Sequence, residues 1–302
     1  MNRYYDLNTY FRSTFGCRVH KITVDAGFTC PNRDGTLSRE GCIFCNSRGS
    51  GTGAFARGES ITHQLEAGKK ALARRFKAQK FIAYFQAHTN TYAPLERLKA
   101  LYDEALAVDG VVGIAVGTRP DCVDDDVLDL LQGYADNAMV WVEYGVQSAR
   151  DETLALINRG HDFACVQDAV ERTRGRGILI CAHVILGLPG ETPADMVNTA
   201  QQMAALGIDG IKLHLLYVVR GTSLAVMHQE DTCRCQEQDE YADRVCDVLA
   251  HLPPHVVVQR LTGDPHPDEL VAPLWALRKQ ETLAMIKKRL EDRNLWQGCH
   301  MG

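Results

Sequence analysis

Val19-His-Lys-Ile-Thr-Val24 is followed, after five residues, by Cys30-Pro-Asn-Arg-Asp-Gly-Thr-Leu-Ser-Arg-Glu-Gly-Cys42-Ile-Phe-Cys45. A short β-branched strand thus runs into a loop that carries three cysteines, with eleven residues between the first two and two between the last pair. Outward from this stretch the same alternation recurs. Apolar or β-branched runs at 80–85, 111–116, 139–144, 178–186 and 210–216 read as five more strands. Helical patterns lie between them near 60–78, 94–107, 124–135, 150–175 and 193–206, several opened by helix-start residues such as Ser60, Pro94, Asp124 and Pro193. Strands alternating with helices predict an α/β fold whose parallel strands are buried and joined by crossover helices.

In such sheets and barrels, chemistry gathers beyond the carboxyl ends of the strands. The unusual loops fall there: the cysteine loop after the first strand, Gln86-Ala-His-Thr-Asn-Thr-Tyr92 after the second, Gly117-Thr-Arg-Pro-Asp121 after the third, Gly145-Val-Gln-Ser148 after the fourth and Gly187-Leu-Pro-Gly-Glu-Thr192 after the fifth. After residue 217 the pattern loosens into a polar stretch at 229–240, a helix, an extra strand at 256–261 and a final helix at 272–292. We therefore divide the chain into an N-terminal segment (1–18), a βα core (19–217) and a C-terminal extension (218–302).

Composition narrows the function. With 45% hydrophobic and 24% charged residues over 302 positions, the chain is globular and not disordered. Its 33 basic and 38 acidic residues leave a net charge of −5, so nucleic-acid contact would need a local basic patch. No apolar run approaches the ~18 residues of a membrane span, and the N-terminus has no signal-peptide core. A cytoplasmic protein without membrane association is expected. Eleven cysteines in such a protein point to metal or redox chemistry before structural disulfides. Three thiolates on one loop suit a soft metal centre but are one ligand short of a closed site. Either Cys17 or His20 completes a tetrahedral zinc site, or one iron of a cluster stays open to a non-protein ligand. A redox disulfide at Cys42-x-x-Cys45 is disfavoured because the pair does not open a helix. Spacing alone leaves zinc and cluster open.

Further strings add context. Thr118-Arg-Pro-Asp121, Val142-Glu-Tyr-Gly-Val-Gln-Ser148, Ile157-Asn-Arg-Gly-His161 and His183-Val-Ile-Leu-Gly-Leu-Pro-Gly-Glu-Thr192, together with the three cysteines, resemble radical S-adenosylmethionine (SAM) enzymes. Within that superfamily the strings resemble the YhcC/YtqA-type group, related to the Elongator catalytic subunit, over roughly residues 15–265. It implies a partial (βα)6 TIM-like barrel with a C-terminal α/β extension, in which Cys30, Cys42 and Cys45 hold a 4Fe-4S cluster and SAM chelates the open iron. An electron then splits SAM into methionine and a 5′-deoxyadenosyl radical that takes hydrogen from a substrate, so the cofactor carries the hard step. Implied SAM contacts are Phe44 by the adenine, Gln147 and His183 at the ribose, Arg159 at the carboxylate, and Thr89 or Asn90 in place of the family's usual glycine pair. Thr118 and Arg119 are further candidates for gripping SAM or a substrate carboxylate. Glu143, ending a buried strand, would be costly unpaired, and a salt bridge to Arg159 or Arg119 is expected.

The resemblance also implies an external electron donor of flavodoxin or ferredoxin type and, from the Elongator-type relatives, a tRNA wobble-uridine side chain as substrate. A small metabolite is the alternative. A colourless, zinc-stabilised α/β binding module using Cys17, Cys30, Cys42 and Cys45 is the rival from another class. On the sixth strand Lys212 and His214 share a face, with Tyr217 opposite unless the strand breaks register. Cys233, Cys235 and Cys246 are expected to be exposed thiols on a polar, helix-like segment. In the last helix Trp275, Leu283, Ile286 and Leu290 should pack inward at helical spacing. That leaves Arg278, Lys279, Lys287, Lys288, Arg289 and Arg293 as a phosphate-tracking face, or as a solvated one with pairs such as Lys287–Glu291.

Overall fold

The computed structural model describes residues 2–49 and 51–301. Its elements in chain order are α1 (Leu7–Phe15), β1 (Val19–Val24), α2 (Pro31–Asp34), α3 (Ile61–Phe76), β2 (Lys80–Phe85), α4 (Leu95–Leu106), β3 (Val111–Thr118), α5 (Asp125–Ala135), β4 (Met139–Gln147), α6 (Asp151–Leu156), α7 (Phe163–Thr173), β5 (Leu179–Leu186), α8 (Pro193–Ala205), β6 (Gly210–Leu215), β7 (Val218–Val219), α9 (Ser223–Gln229), α10 (Gln238–Ala250), β8 (Val257–Arg260), β9 (Leu270–Ala272) and α11 (Lys279–Asp292). Strands β1 to β6 pair in sequence order, all parallel, and β8 adds a seventh parallel strand beside β6. The sheet is parallel, as the βα alternation predicts, and curls into the half-barrel that the family resemblance implies. Its helices start where local chemistry fixes them: Ser60 accepts from His63 N, Asp124 from Val127 N, and Thr192 and Asp195 form a reciprocal capping box.

Alternation along each strand separates two apolar layers. One set, including Ile22, Val24, Phe85, Ile114, Val116, Val140 and Val142, packs against the helices. The other, Val19, Ile82, Ala115, Trp141, Cys181 and Val257, faces the lumen, where Phe11 of α1 joins it and closes the amino-terminal end. A third cluster ties Ile43 of the cysteine loop to Leu154, Ile157, Leu188, Leu216, Val218 and Leu224, so the chain after β6 covers the opposite end.

Several sequence expectations change. The single helix at 150–175 divides into α6 and α7, because Asn158 (φ 52°) and Gly160 (φ 76°) adopt left-handed conformations and Asp162 caps a new helix by accepting from Cys165 N. The final helix begins at Lys279. Trp275 belongs to a preceding 3-10 turn, yet it still packs inward, donating to Gln236 O at 3.1 Å. Cys233, Cys235 and Cys246 are buried, not exposed: the first two lie in the apolar cap, the third in the α10–core layer. Burial raises the Cys235 thiol to about 11 and the Cys246 thiol to about 12. The basic face of α11 is largely neutralised, in part by pairs with other elements that sequence spacing does not reveal. Arg289 reaches Asp239 and Arg293 reaches Asp247, both on α10, while Lys279 holds Asp264 and Lys288 holds Asp292. Among the described residues, no helix is long and apolar enough to cross a membrane.

Candidate functional site

The cysteine loop is held on both sides. Pro31 opens α2 directly after Cys30, and the backbone doubles back through Leu37 N to Pro31 O at 2.8 Å. On one flank, Asn158 Nδ2 donates to Gly41 O at 2.7 Å, Asn32 Nδ2 to Asn158 O at 2.6 Å and Ile43 N to Ile157 O at 3.1 Å. On the other, Leu224 N donates to Ile43 O at 2.9 Å and Asn46 Nδ2 to Glu269 at 2.9 Å. The eleven-residue spacing is thus the length needed for one helical turn and a return. The 157–161 string, which also carries Arg159, anchors the loop.

Beyond the carboxyl ends of the strands lies a cavity of about 390 Å³, within the roughly 300–1,000 Å³ of small-molecule and cofactor sites. Cys30, Cys42, Phe44, Cys45, Thr89, Thr118, Arg119, Glu143, Gln147, Arg159 and His183 all line it. Asn90 does not: its side chain donates to Gly117 O at 2.7 Å and straps the second loop to β3. Between Gly145 and Gln147 the β4–β5 register slips, and Gln147 takes φ 71°. This bulge brings Gln147 to the cavity wall. Gly145 leaves room here for two side-chain ends. A Cβ at that position would lie 2.7 Å from Arg159 Nη2 and 2.8 Å from Gln147 Nε2. Arg159, 6% exposed, donates through Nε and Nη2 to Gly145 O and through Nη1 to Cys42 Sγ at 3.6 Å, where Asn32 Nδ2 also arrives at 3.6 Å. Burial raises the Cys45 thiol, and the neighbouring Cys42 and Cys30 sulfurs raise it further.

Below these groups the lumen holds a charged network. Glu143, completely buried, contacts Lys21 Nζ through Oε1, and Lys212 Nζ and His183 Nε2 through Oε2, the last at 2.7 Å. Neither Arg159 nor Arg119 is its partner. Arg119 instead forks onto Asp121 at 2.8 and 2.7 Å, because its residue follows β3 at the rim and not in the lumen. Lys212 also donates to Tyr84 OH at 3.0 Å, and Lys21 to Gln259 Oε1 at 2.6 Å. Burial alone would raise the Glu143 pKa, but Lys21 and Lys212 hold the carboxyl well below its usual range. Burial and the Lys212 charge push His183 down to about 4, so its imidazole is neutral at pH 7. Sequence reading named Glu143, His183, Lys212 and His214 but missed Lys21, Tyr84, Gln259 and Arg260. A lysine in the middle of a buried strand was the available signal. Tyr217 also lines the cavity, because β6 ends at Leu215 and the alternation stops there.

The three loop thiols are not drawn into a single-ion cage: among the described residues, no three His, Cys, Asp or Glu side chains gather to hold one metal ion. A 4Fe-4S cluster spreads its thiolate ligands over different irons, and soft donors distributed around one cavity fit that requirement. The zinc alternative does not fit. Cys17 lies before β1, at the opposite end of the strand from the loop, and packs with the lumen-floor cluster, while His20 stacks on Phe76 with ring centroids 4.8 Å apart.

Comparison with known proteins agrees with this geometry. A profile described as the radical SAM superfamily matches residues 30–203, and one described as a radical SAM C-terminal domain matches 208–292. The chain is similar to YtqA of Bacillus subtilis (strain 168), 43% identical over 296 residues that cover 98% of this chain and 92% of that one. It is similar to YhcC of Escherichia coli (strain K12), 40% identical over 289 residues that cover 95% and 92%. Among solved structures, the archaeal Methanocaldococcus infernus Elp3 superposes with a TM-score of 0.71 at 17% identity, covering 92% of this chain and 64% of that one, which shows the shared fold. Matched by the superfamily profile over more than half its length, with its three loop cysteines lining the cavity beyond the strands, the chain belongs to the radical SAM superfamily and is an enzyme of that class.

Proposed function

We propose that this enzyme cleaves SAM reductively in the cavity between the cysteine loop and the strand ends, and that Cys30, Cys42 and Cys45 are the protein ligands of its 4Fe-4S cluster. Membership of the superfamily implies both cofactors, and enzymes of this kind draw on an external electron donor, here taken to be of flavodoxin or ferredoxin type in the cytoplasm. When bound, the two cofactors supply a 5′-deoxyadenosyl radical that takes a hydrogen atom from a substrate. The chain's own residues have separate tasks. Arg159 presents its guanidinium beside Cys42 and Gly145, suited to a carboxylate. Gln147 offers an amide for ribose hydroxyls, and Phe44 an apolar wall for the base. Lys21, Glu143, Lys212 and His183 form a rigid polar floor, and the apolar cap over the loop limits water at the radical.

The observation that carries this reading is that the thiols of the loop, Arg159 and Gln147 line one cavity. The test is anaerobic reconstitution with iron and sulfide, followed by reduction in the presence of SAM. Broad visible absorption with release of 5′-deoxyadenosine and methionine is expected, and each of Cys30→Ala, Cys42→Ala and Cys45→Ala should lose both, while Cys17→Ala keeps them. A colourless protein with stoichiometric zinc rejects the reading. For the substrate we propose a tRNA wobble-uridine side chain, supported by the Elongator-like strings at 142–148 and 157–161. An RNA-modification profile of a deletion strain tests it. A small metabolite is the second reading, favoured by the acid-paired α11 face, which offers little charge to an RNA backbone.

A further inference from the structure

Three carboxylates line the cavity, and each is already engaged. Glu143 is held by Lys21, Lys212 and His183, Asp264 by Lys279 at 2.7 Å, and Glu269 by Arg48 at 2.7 Å. Of the arginines on the wall, Arg33 donates to Cys45 O, Arg48 to Glu269, Arg119 to Asp121 and Arg159 to Gly145 O. Arg260 differs: among the described residues its guanidinium has neither a hydrogen-bond acceptor nor an ion-pair partner, although it faces the same cavity. Its position results from a slip in the β6–β8 register after Ile211, which sets Arg260 opposite Lys212 and leaves Gln259 free to reach Lys21.

A second group is also unpartnered. His214, two residues beyond Lys212 on the same face of β6, lines the cavity, and its buried Nε2 has no hydrogen-bond partner. Its ring centroid lies 5.2 Å from that of His183. A buried polar nitrogen left unpaired is costly, and a ligand that accepts from it removes the cost. Lys21, Lys212 and Arg260 are three cations in the lumen against the single carboxylate of Glu143, so the charge balance favours an added anion.

We propose that Arg260 and His214 form a substrate subsite for an anionic oxyacid group, a carboxylate or a phosphate, at the β6–β8 side of the cavity. The inference rests on the reading that this cavity is where the substrate binds, and it narrows the substrate to one bearing such a group. A planar guanidinium suits two oxygens of either anion, and the imidazole supplies a third donor. Of the two sources, phosphate corresponds to a nucleotide or RNA backbone, and carboxylate to a small acid or an acidic side chain.

The test uses the full chain labelled with 15N-histidine and titrated separately with inorganic phosphate and with acetate, with the His214 ring nitrogens as the readout. At least one anion should move those signals saturably. Arg260→Met should weaken that binding roughly ten- to hundredfold, the loss expected for a charge-assisted hydrogen-bonded contact. Arg260→Lys keeps the charge in place but not the two-pronged geometry, and should also bind more weakly than the wild type. Stronger binding of phosphate identifies the nucleotide source, and stronger binding of acetate the carboxylic acid. Unmoved His214 signals with both anions, or equal affinity in both Arg260 variants and the wild type, overturn the subsite. Neither probe needs SAM or a cluster. Failure of anion binding alongside intact SAM cleavage therefore rejects the subsite alone, whereas a failure of SAM cleavage bears on the reading beneath it.

Discussion

Replacing Glu143 by Gln removes one negative charge from the lumen while keeping shape and hydrogen-bonding atoms. Glu143 is 0% exposed and touches two lysines and a histidine, so Glu143→Gln leaves Lys21 and Lys212 facing each other without a counter-charge. Removing one partner of a buried ion pair costs about 3–5 kcal/mol. At ~2.1 cal/mol/K of unfolding entropy per residue over 302 residues, that corresponds to a Tm lower by about 5–8 °C. The loss should depend on pH. Burial pushes the Lys212 pKa down to about 8. Between pH 8 and the ordinary lysine value, the unfolded chain keeps a proton that the folded chain has released, so stability rises with pH across that window. At pH 9.5 Lys212 is largely neutral and Glu143 has only the Lys21 ammonium to balance, so the deficit of the variant should shrink. Adding Lys212→Met should restore part of the loss at pH 7 by removing the orphaned cation. Thermal melts followed by circular dichroism at pH 7 and 9.5 measure all three proteins. A Tm drop below about 2 °C at pH 7, or a deficit that does not change with pH, would refute the ion-network argument, since either would mean that the lysines are not relying on Glu143.

For SAM binding measured by calorimetry, Arg159→Ala should weaken affinity more than Gln147→Ala, about 1.5–3 against 0.5–1.5 kcal/mol, because it removes a charge-assisted contact and not a neutral one; the reverse order would misplace the pocket. His183 has a folded-state pKa near 4 against 6.5 when unfolded, so its contribution to stability is full above pH 6.5 and is lost as pH falls towards 4, amounting to about 3 kcal/mol at most. Urea unfolding at pH 7, 5.5 and 4.5 should therefore show a flatter profile in His183→Gln, and an unchanged slope counts against a neutral buried imidazole. Substituting Lys287, Lys288 and Arg289 together by Ser should leave RNA affinity and its salt dependence unaltered, because Lys288 and Arg289 are already paired with Asp292 and Asp239. It should cost only ~0–1 kcal/mol of stability per exposed pair, and a weakened RNA complex would restore α11 as a contact surface.

The sequence by itself determined the alternation of the core strands and helices, their parallel sheet, and the loops that border the cavity, while the half-barrel was implied by the family resemblance. Those features rest on local periodicity and caps, and parallel βα units leave little freedom in how they assemble. Its three loop cysteines and Gln147 were legible after the ends of predicted strands and Glu143 and His183 within them, whereas Arg159, placed in a predicted helix, stood out only through the family resemblance. Partner choice was not. Glu143 was expected to meet an arginine, but strands β1 and β6 bring Lys21 and Lys212 to it from residues 122 and 69 positions away. Nor could the sequence show that Arg260 reaches the wall, because a one-residue register slip decides which face a side chain takes, and a slip is a property of paired strands. The same applies to the basic helix. For α11 the sequence left a phosphate-tracking face and a solvated, intrahelically paired face open, and it could not show that α10 places Asp239, Asp243 and Asp247 beside it. Local pattern fixes what each element is, whereas charge pairing across the lumen and between helices depends on which distant residues the folded sheet brings within a few ångströms.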